Sequence, residues 1–123
     1  MADKCVGTAL IYSGRPDPEW RISGRQVAAL SRVWAELSPS KSEQPRGPAL
    51  GYRGCSARCA SGDEWFAYGG VVTLTDRNGA VERRSDSEGR FEAALLGTAP
   101  KGVLPARLRA RGRIIRVFRN NPG

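Results

Sequence analysis

The sequence predicts a single α+β domain in which a mixed or antiparallel sheet of four to five strands is covered by two helices. Three observations lead to this fold class: an alternating apolar stretch from Asp63 to Asp76, two serine-led helical patterns, and turns rich in glycine and proline between them. A chain of 123 residues has the size of one domain, and folding at this length buries roughly two-thirds of the surface of the unfolded chain. We therefore expect residues 1–123 to form one domain.

The first elements lie on either side of a proline-rich segment. Residues Cys5 to Ser13 alternate in the manner of a strand that can be central in the sheet. Pro16 and Pro18 then exclude a helix interior or a central strand, because each removes a backbone donor. Trp20 follows, and the sequence leaves open whether it packs on the core or shapes a binding pocket.

Two capping patterns predict the helices. Ser23 with Gln26 forms a capping box, which predicts a helix from Gly24 to Leu37. Ser85 with Glu88 forms a second one. The apolar stripes of the two helices are Val27, Leu30, Val33, Trp34 and Leu37 in the first, and Phe91, Ala94 and Leu95 in the second.

The alternating stretch is predicted to be a central strand with both faces covered, because both of its faces are apolar. Within it, Gly69 and Gly70 are typical of a bulge or of close packing. A turn at residues 76–79 predicts a returning strand at 80–84, with Leu74 opposite Val81. A shorter strand is predicted within residues 50–59, joined to the central strand by a turn at 60–63.

The basic charge is concentrated in one segment. The chain has 20 Lys and Arg against 12 Asp and Glu, yet residues 99–123 contain 7 basic residues and no acidic one. The arginines predicted to form a basic surface are Arg107, Arg109, Arg111, Arg113 and Arg116. As a strand, the first four would align on one face, which is typical of phosphate binding and equally of a solvated edge that discourages aggregation.

Residues 39–48, with three prolines, predict a mobile surface loop.

Several chemistries are excluded by what the sequence lacks. Because it contains no histidine, nucleophile–histidine pairs and histidine metal sites cannot form within one chain. We predict no metal and no cofactor, since the three cysteines have poor ligand spacing and there is no glycine-rich phosphate motif. Asp63 and Glu64 are the weak acid–base candidates that remain.

The cysteines and the N-terminal residues favour a cytoplasmic protein. Cys5, Cys55 and Cys59 make an odd number, and the short apolar run near the N-terminus does not predict a secretory signal. Cys55 and Cys59 are expected to be reduced thiols, with a redox role as the alternative. No apolar run approaches the roughly 20 residues that cross a bilayer.

Three motifs carry a resemblance: SGRPDPEW at residues 13–20, LGYRGC at 50–55 and EWFAYGGVV at 64–72. Together they resemble a scattered group of small bacterial proteins without an assigned activity. Some such proteins are accessory factors in the biosynthesis of peptide natural products, and the resemblance implies no catalytic residue.

The function favoured by the sequence is peptide or protein binding, and a binding protein is favoured over an enzyme. An extended peptide could add to a sheet edge, and a second copy could pair there in the same way to form a homodimer. The candidate binding residues are Trp20, Tyr52, Trp65, Tyr68, Arg15 and Arg53. Nucleic-acid binding through the basic segment, and a small enzyme or enzyme subunit acting on a peptide, are the alternatives.

Overall fold

Six short strands form one antiparallel sheet in the computed structural model, which describes residues 4–12, 14–48, 51–106 and 108. In chain order the elements are β1 (Cys5–Ala9), β2 (Glu19–Ile22), α1 (Gly24–Glu36), β3 (Cys55–Cys59), β4 (Glu64–Tyr68), β5 (Val71–Thr75), β6 (Val81–Ser85) and α2 (Arg90–Leu96). The strand order is β2-β1-β3-β4-β5-β6, and every neighbouring pair is antiparallel. The α+β class is confirmed, with six strands instead of four to five.

A glycine pair accounts for part of this difference. Gly69 and Gly70 have φ angles of 64° and 87°, which only glycine adopts readily, and they form the two-residue turn of the β4–β5 hairpin. The prediction of one central strand through this stretch, and of a bulge at the glycines, was therefore wrong. The segment around Trp20 supplies a further strand, β2, that the prolines before it had obscured.

The two faces of the sheet differ in how they are covered. The inner face packs against the helices, and the two together form a core whose largest fully buried side chains are Phe91, Leu30, Leu95, Val72 and Cys55. On the other side, here called the outer face, a row of paired residues crosses five strands: Thr8, Ser56, Phe66, Thr73 and Arg83. Phe66 and Thr73 are only half-buried, so this face is less fully covered than the inner one.

The first helix follows its predicted pattern. The Ser23 side chain accepts a hydrogen bond from the backbone of Gln26, and the Gln26 side chain accepts one from the backbone of Ser23. Val27, Leu30 and Trp34 are the buried residues of α1. The local capping box and the apolar stripe therefore define this helix correctly.

The second helix begins later than its capping pattern predicted. Ser85 belongs to β6, and α2 starts after Gly89, which has a φ of 69°. The carboxylate of Asp86 accepts hydrogen bonds from the backbone of Phe91 at 3.0 Å and of Glu92 at 3.1 Å. The prediction of Ser85 as the cap was wrong, whereas an acidic residue does satisfy the first amides of the helix.

The last hairpin differs by one residue from the predicted register. Asp76 accepts hydrogen bonds from the amides of Asn78 and Ala80, which makes the connection one residue longer than expected. Thr75 is therefore opposite Val81, and the predicted Leu74–Val81 pair was wrong.

Among the described residues, neither helix is long and apolar enough to cross a membrane.

Candidate functional site

The segment at residues 43–47 packs on the outer face of the sheet. The Gln44 side chain donates a hydrogen bond to the carbonyl of Tyr68 at 2.9 Å and accepts one from the Thr73 hydroxyl at 2.7 Å. A Cβ added to Gly69 would lie 2.8 Å from Pro45, which shows how closely the segment approaches the β4–β5 turn. These contacts attach part of the predicted 39–48 loop to the sheet, while its mobility stays a prediction.

The other end of the same segment packs against the irregular residues that lead into β3. A Cβ added to Gly47 would lie 2.7 Å from the Cα of Arg53. Glycine at position 47 therefore permits a close backbone approach that any larger residue would prevent. The segment crosses the outer face and leaves a groove beside it.

This groove has a volume of about 600 Å³ and is here called the arginine groove. Its lining residues are Leu10, Glu43, Gln44, Pro45, Arg46, Gly47, Arg53, Phe66 and Arg83. Leu10 and Phe66 supply its apolar wall, and the arginines come from three separate parts of the chain. A site of this kind combines apolar contact with a small number of charged groups.

The charge of the arginine groove is positive. It contains three guanidinium groups, at Arg46, Arg53 and Arg83, against the single carboxylate of Glu43. The ion pairs in the described part of the chain are Arg84–Glu82 and Arg90–Glu36, and neither includes a groove arginine. Planar guanidinium groups match carboxylate and phosphate groups, which a positive groove attracts.

Arg53 is the most buried of the three groove arginines. Its side chain is half-buried and donates a hydrogen bond to the carbonyl of Tyr12 at 3.1 Å. That bond uses one of the five N–H donors of a guanidinium group. Arg46 and Arg83 are more exposed and lie at the rim.

Of the six predicted binding residues, Arg53 lines the groove, whereas Tyr52, Tyr68 and Arg15 are not among its lining residues. The ring centroids of Tyr52 and Tyr68 are 5.7 Å apart, and Arg53 follows Tyr52 in the chain. Arg15 lies over the ring of Tyr12, with its guanidinium carbon 3.7 Å from the ring centroid. Tyr68 lies next to the groove, because its carbonyl accepts the hydrogen bond from Gln44, whereas Arg15 is connected to Arg53 only through their shared contact with Tyr12.

The two predicted tryptophans lie in the core instead. Trp20 is 5% exposed, and its indole N–H donates a hydrogen bond to the Thr98 hydroxyl at 2.8 Å. Trp65 is also buried, and its ring contacts Phe91 edge-on at a centroid distance of 5.4 Å. Of the two roles that the sequence left open for Trp20, the structure therefore shows core packing.

A buried polar cluster lies beneath Tyr52. The Tyr52 hydroxyl donates a hydrogen bond to the carboxylate of Glu92, and Glu92 is only 4% exposed. Burial, together with nearby Cys55 and Glu92, raises the pKa of Tyr52 far above its usual value. Burial also raises the pKa of Asp86, against the opposing effect of its backbone hydrogen bonds. The tyrosine thus stays protonated and fixes the buried carboxylate.

The predicted acid–base candidates, Asp63 and Glu64, lie at the start of β4. The carboxylate of Asp63 accepts a hydrogen bond from the backbone of Arg77 at 3.3 Å, and the carbonyl of Asp63 accepts one from Cys59. Glu64 is exposed at the start of β4, opposite Thr75. Asp63 therefore stabilises neighbouring turns at this end of the sheet.

The cysteines form a pair that the sequence did not predict. Cys5 and Cys59 are directly opposite each other in β1 and β3 and are joined by a disulfide, whereas Cys55 is buried outside it. The expectation that Cys59 is a reduced thiol was wrong. No group of three histidine, cysteine or acidic side chains suited to a metal occurs within the described ranges.

Two arginines of the groove, Arg46 and Arg83, were not predicted as binding residues. Arg46 lies between Pro45 and Gly47, in the loop that was predicted only to be mobile. Arg83 lies in a strand with a second arginine beside it, and only the alternation of side chains places it on the outer face. The basic surface predicted at Arg107, Arg109, Arg111, Arg113 and Arg116 lies outside the described residues.

The sequence matches no protein-family model, and neither the curated proteins nor the solved structures include a significantly similar chain. The function is therefore inferred from the geometry of the site.

Proposed function

We propose that this protein is a peptide-binding module whose arginine groove takes an acidic peptide segment. The observation that carries the proposal is the convergence of Arg46, Arg53 and Arg83 on one groove that also has an apolar wall. A carboxylate side chain would pair with the guanidinium groups, and a neighbouring apolar side chain would contact Leu10 and Phe66.

The arrangement favours a peptide over a nucleic acid. The three arginines surround a single groove, whereas a nucleic-acid strand requires cationic groups spaced along a track of phosphates. Nucleic-acid binding through the C-terminal arginines, which the sequence predicts as an alternative, is the competing function.

The Cys5–Cys59 disulfide bears on where the protein acts. Disulfides persist in oxidising compartments and are rare in reducing ones. The predicted cytoplasmic location is therefore disfavoured by this bond, and a peptide ligand in an oxidising compartment is part of the proposal.

The proposal is tested with labelled synthetic peptides in which glutamate alternates with leucine or phenylalanine, and with matched peptides that carry glutamine instead. Fluorescence anisotropy at low salt is expected to show binding of the glutamate peptides only. Arg53→Gln and Arg83→Gln should each weaken binding by about tenfold or more, since each removes hydrogen bonds between charged groups.

The matched control is Arg32→Gln, which removes an exposed arginine of α1 outside the groove. Equal losses in this control and in the groove variants would attribute binding to net charge alone and contradict the proposal. Absence of glutamate-peptide binding at low salt would also contradict it. Displacement of the bound peptide by single-stranded RNA or DNA, with the same dependence on Arg53 and Arg83, would assign the groove to nucleic acid.

A further inference from the structure

The two edge strands of the sheet, β2 and β6, differ in whether other described residues bond to their outer side. At the β6 edge, Ser40 donates a backbone hydrogen bond to the carbonyl of Arg83 at 2.9 Å, and Ser85 donates one to Ser38 at 2.7 Å. The chain therefore covers the part of this edge from Arg83 to Ser85 with its own residues. At the opposite edge, no strand of the described part pairs with the outer side of β2.

The backbone groups that β2 presents outward follow from its pairing with β1. The amide of Ala9 donates to the carbonyl of Pro18 at 3.2 Å, so residue 18 directs its carbonyl toward β1. Antiparallel strands alternate between residues that bond to one neighbour and residues that bond to the other side. Trp20 therefore bonds toward β1, whereas Glu19 and Arg21 direct their N–H and C=O groups away from the sheet.

The open part of this edge is short and has a defined end. The backbone N–H of Ser23 donates to the Gln26 side chain, and the carbonyl of Ser23 accepts from Val27 at 2.9 Å. Ser23 is thus occupied by the start of α1, and pairing beyond the edge cannot extend through it. Glu19 and Arg21 alone offer both of their backbone groups within β2.

Glu19 and Arg21 lie on either side of Trp20 in the strand, and their side chains carry opposite charges. Both are exposed on the outer face, one is negative and the other positive, and neither takes part in the ion pairs of the described residues. If two copies pair about a two-fold axis at Trp20, Glu19 of each copy lies opposite Arg21 of the other. The interface then contains two such charge pairs. The neighbouring two-fold registers place Glu19 opposite itself or Arg21 opposite itself, which like-charge repulsion disfavours.

We propose that two copies of this chain form a homodimer by antiparallel pairing of β2 with β2, in the register that sets Glu19 opposite Arg21 of the second copy. The pairing joins the two sheets into one through four backbone hydrogen bonds and two charge pairs. Such a contact is isologous, because the same residues serve both copies. Charges on an open edge normally discourage indiscriminate pairing, and here they permit one register.

A second copy fits this edge better than an unrelated peptide does. The edge offers backbone groups of only two residues, so an arbitrary peptide gains little from it. A second copy supplies the opposite charge at both positions and carries the same twist. The interface is also separate from the arginine groove, since no residue of β2 is among the residues that line the groove.

Charge exchange tests the register in the full-length protein. Analytical ultracentrifugation from micromolar to near-millimolar concentration is expected to show a monomer–dimer equilibrium for the wild type. Glu19→Arg and Arg21→Glu each create two like-charge pairs and should weaken the dimer by about tenfold or more. The double variant restores both opposite-charge pairs and should dimerise like the wild type.

Mixing the two single variants gives the sharpest result. In the proposed register a mixed dimer has two favourable charge pairs, so an equimolar mixture should dimerise although neither variant does so alone. Thermal melts followed by circular dichroism establish that each variant is folded. The proposal is overturned if the wild type stays monomeric throughout, if all variants dimerise equally, or if the mixture behaves like its separate components. Peptide binding in the arginine groove is measured independently on the same variants.

Discussion

The Cys5–Cys59 disulfide is expected to make a large contribution to stability. The two cysteines are 54 residues apart in the sequence, and closing a loop of this length in the unfolded chain removes conformational entropy. The chain-entropy relation gives about 4 kcal/mol for such a loop at 25 °C. This is a large part of the total stability of a small domain, which is about 5–15 kcal/mol.

The contribution can be measured by urea unfolding with and without dithiothreitol. Reduction of the wild type should lower the free energy of unfolding by about 4 kcal/mol, and the Cys5→Ala/Cys59→Ala variant should be insensitive to the reductant. Cys55→Ala is the matched control, because it removes the cysteine outside the disulfide and should retain the effect of reduction.

Thiol titration gives an independent result. The unfolded, unreduced wild type should contain one reactive thiol among its three cysteines, and reduction should reveal all three. Three reactive thiols before reduction, in a protein purified under oxidising conditions, would refute the disulfide and the stability argument together.

Three further predictions concern the core, the outer-face segment and the buried polar cluster. Trp20→Ala should destabilise the protein by about 3–5 kcal/mol in urea unfolding, because it empties a buried site and removes the bond to Thr98; an unchanged midpoint would contradict a core role. Gly69→Ala should cost more than Gly14→Ala, since both have positive φ angles but only the first meets another residue, Pro45, within 4 Å; equal costs would show that the segment does not pack there. The free energy of unfolding should fall as the pH rises above about 10, where Tyr52 ionises in the unfolded chain but not in the folded one; the same slope in Tyr52→Phe would exclude Tyr52 as its source.

The parts of the fold that depend on neighbouring residues were predictable from the sequence. The capping box of α1 joins residues three positions apart, so Ser23 and Gln26 reveal it directly. The turns at 60–63 and around Gly79 were likewise visible in their glycines and polar residues. The prediction at Gly69 and Gly70 failed because a glycine pair in an apolar stretch fits both a bulge and a tight hairpin turn, and only the pairing of β4 with β5 distinguishes them.

The features that depend on distant residues were not predictable in this way. Three cysteines allow three pairings, and the observed one follows from the register of β1 against β3, which sets Cys5 opposite Cys59 and Ala9 opposite Cys55. Alternation along the chain showed that Trp65 has an apolar environment without revealing which face the helices cover. The arginine groove joins Arg46 of a loop to Arg83 of an edge strand, and nothing in either local sequence connects them.

The strand order has a consequence for how the chain folds. Strands β3 to β6 are neighbours in both sequence and space, so this meander can assemble from short-range contacts. Pairing of β1 with β3 must instead bring together segments separated by β2 and α1, at a greater cost of loop closure. We expect the meander to be structured in the folding transition state, with the N-terminal strands docking later. Substitutions in the β4–β5 hairpin would then slow folding, whereas those in β1 would mainly accelerate unfolding in stopped-flow experiments.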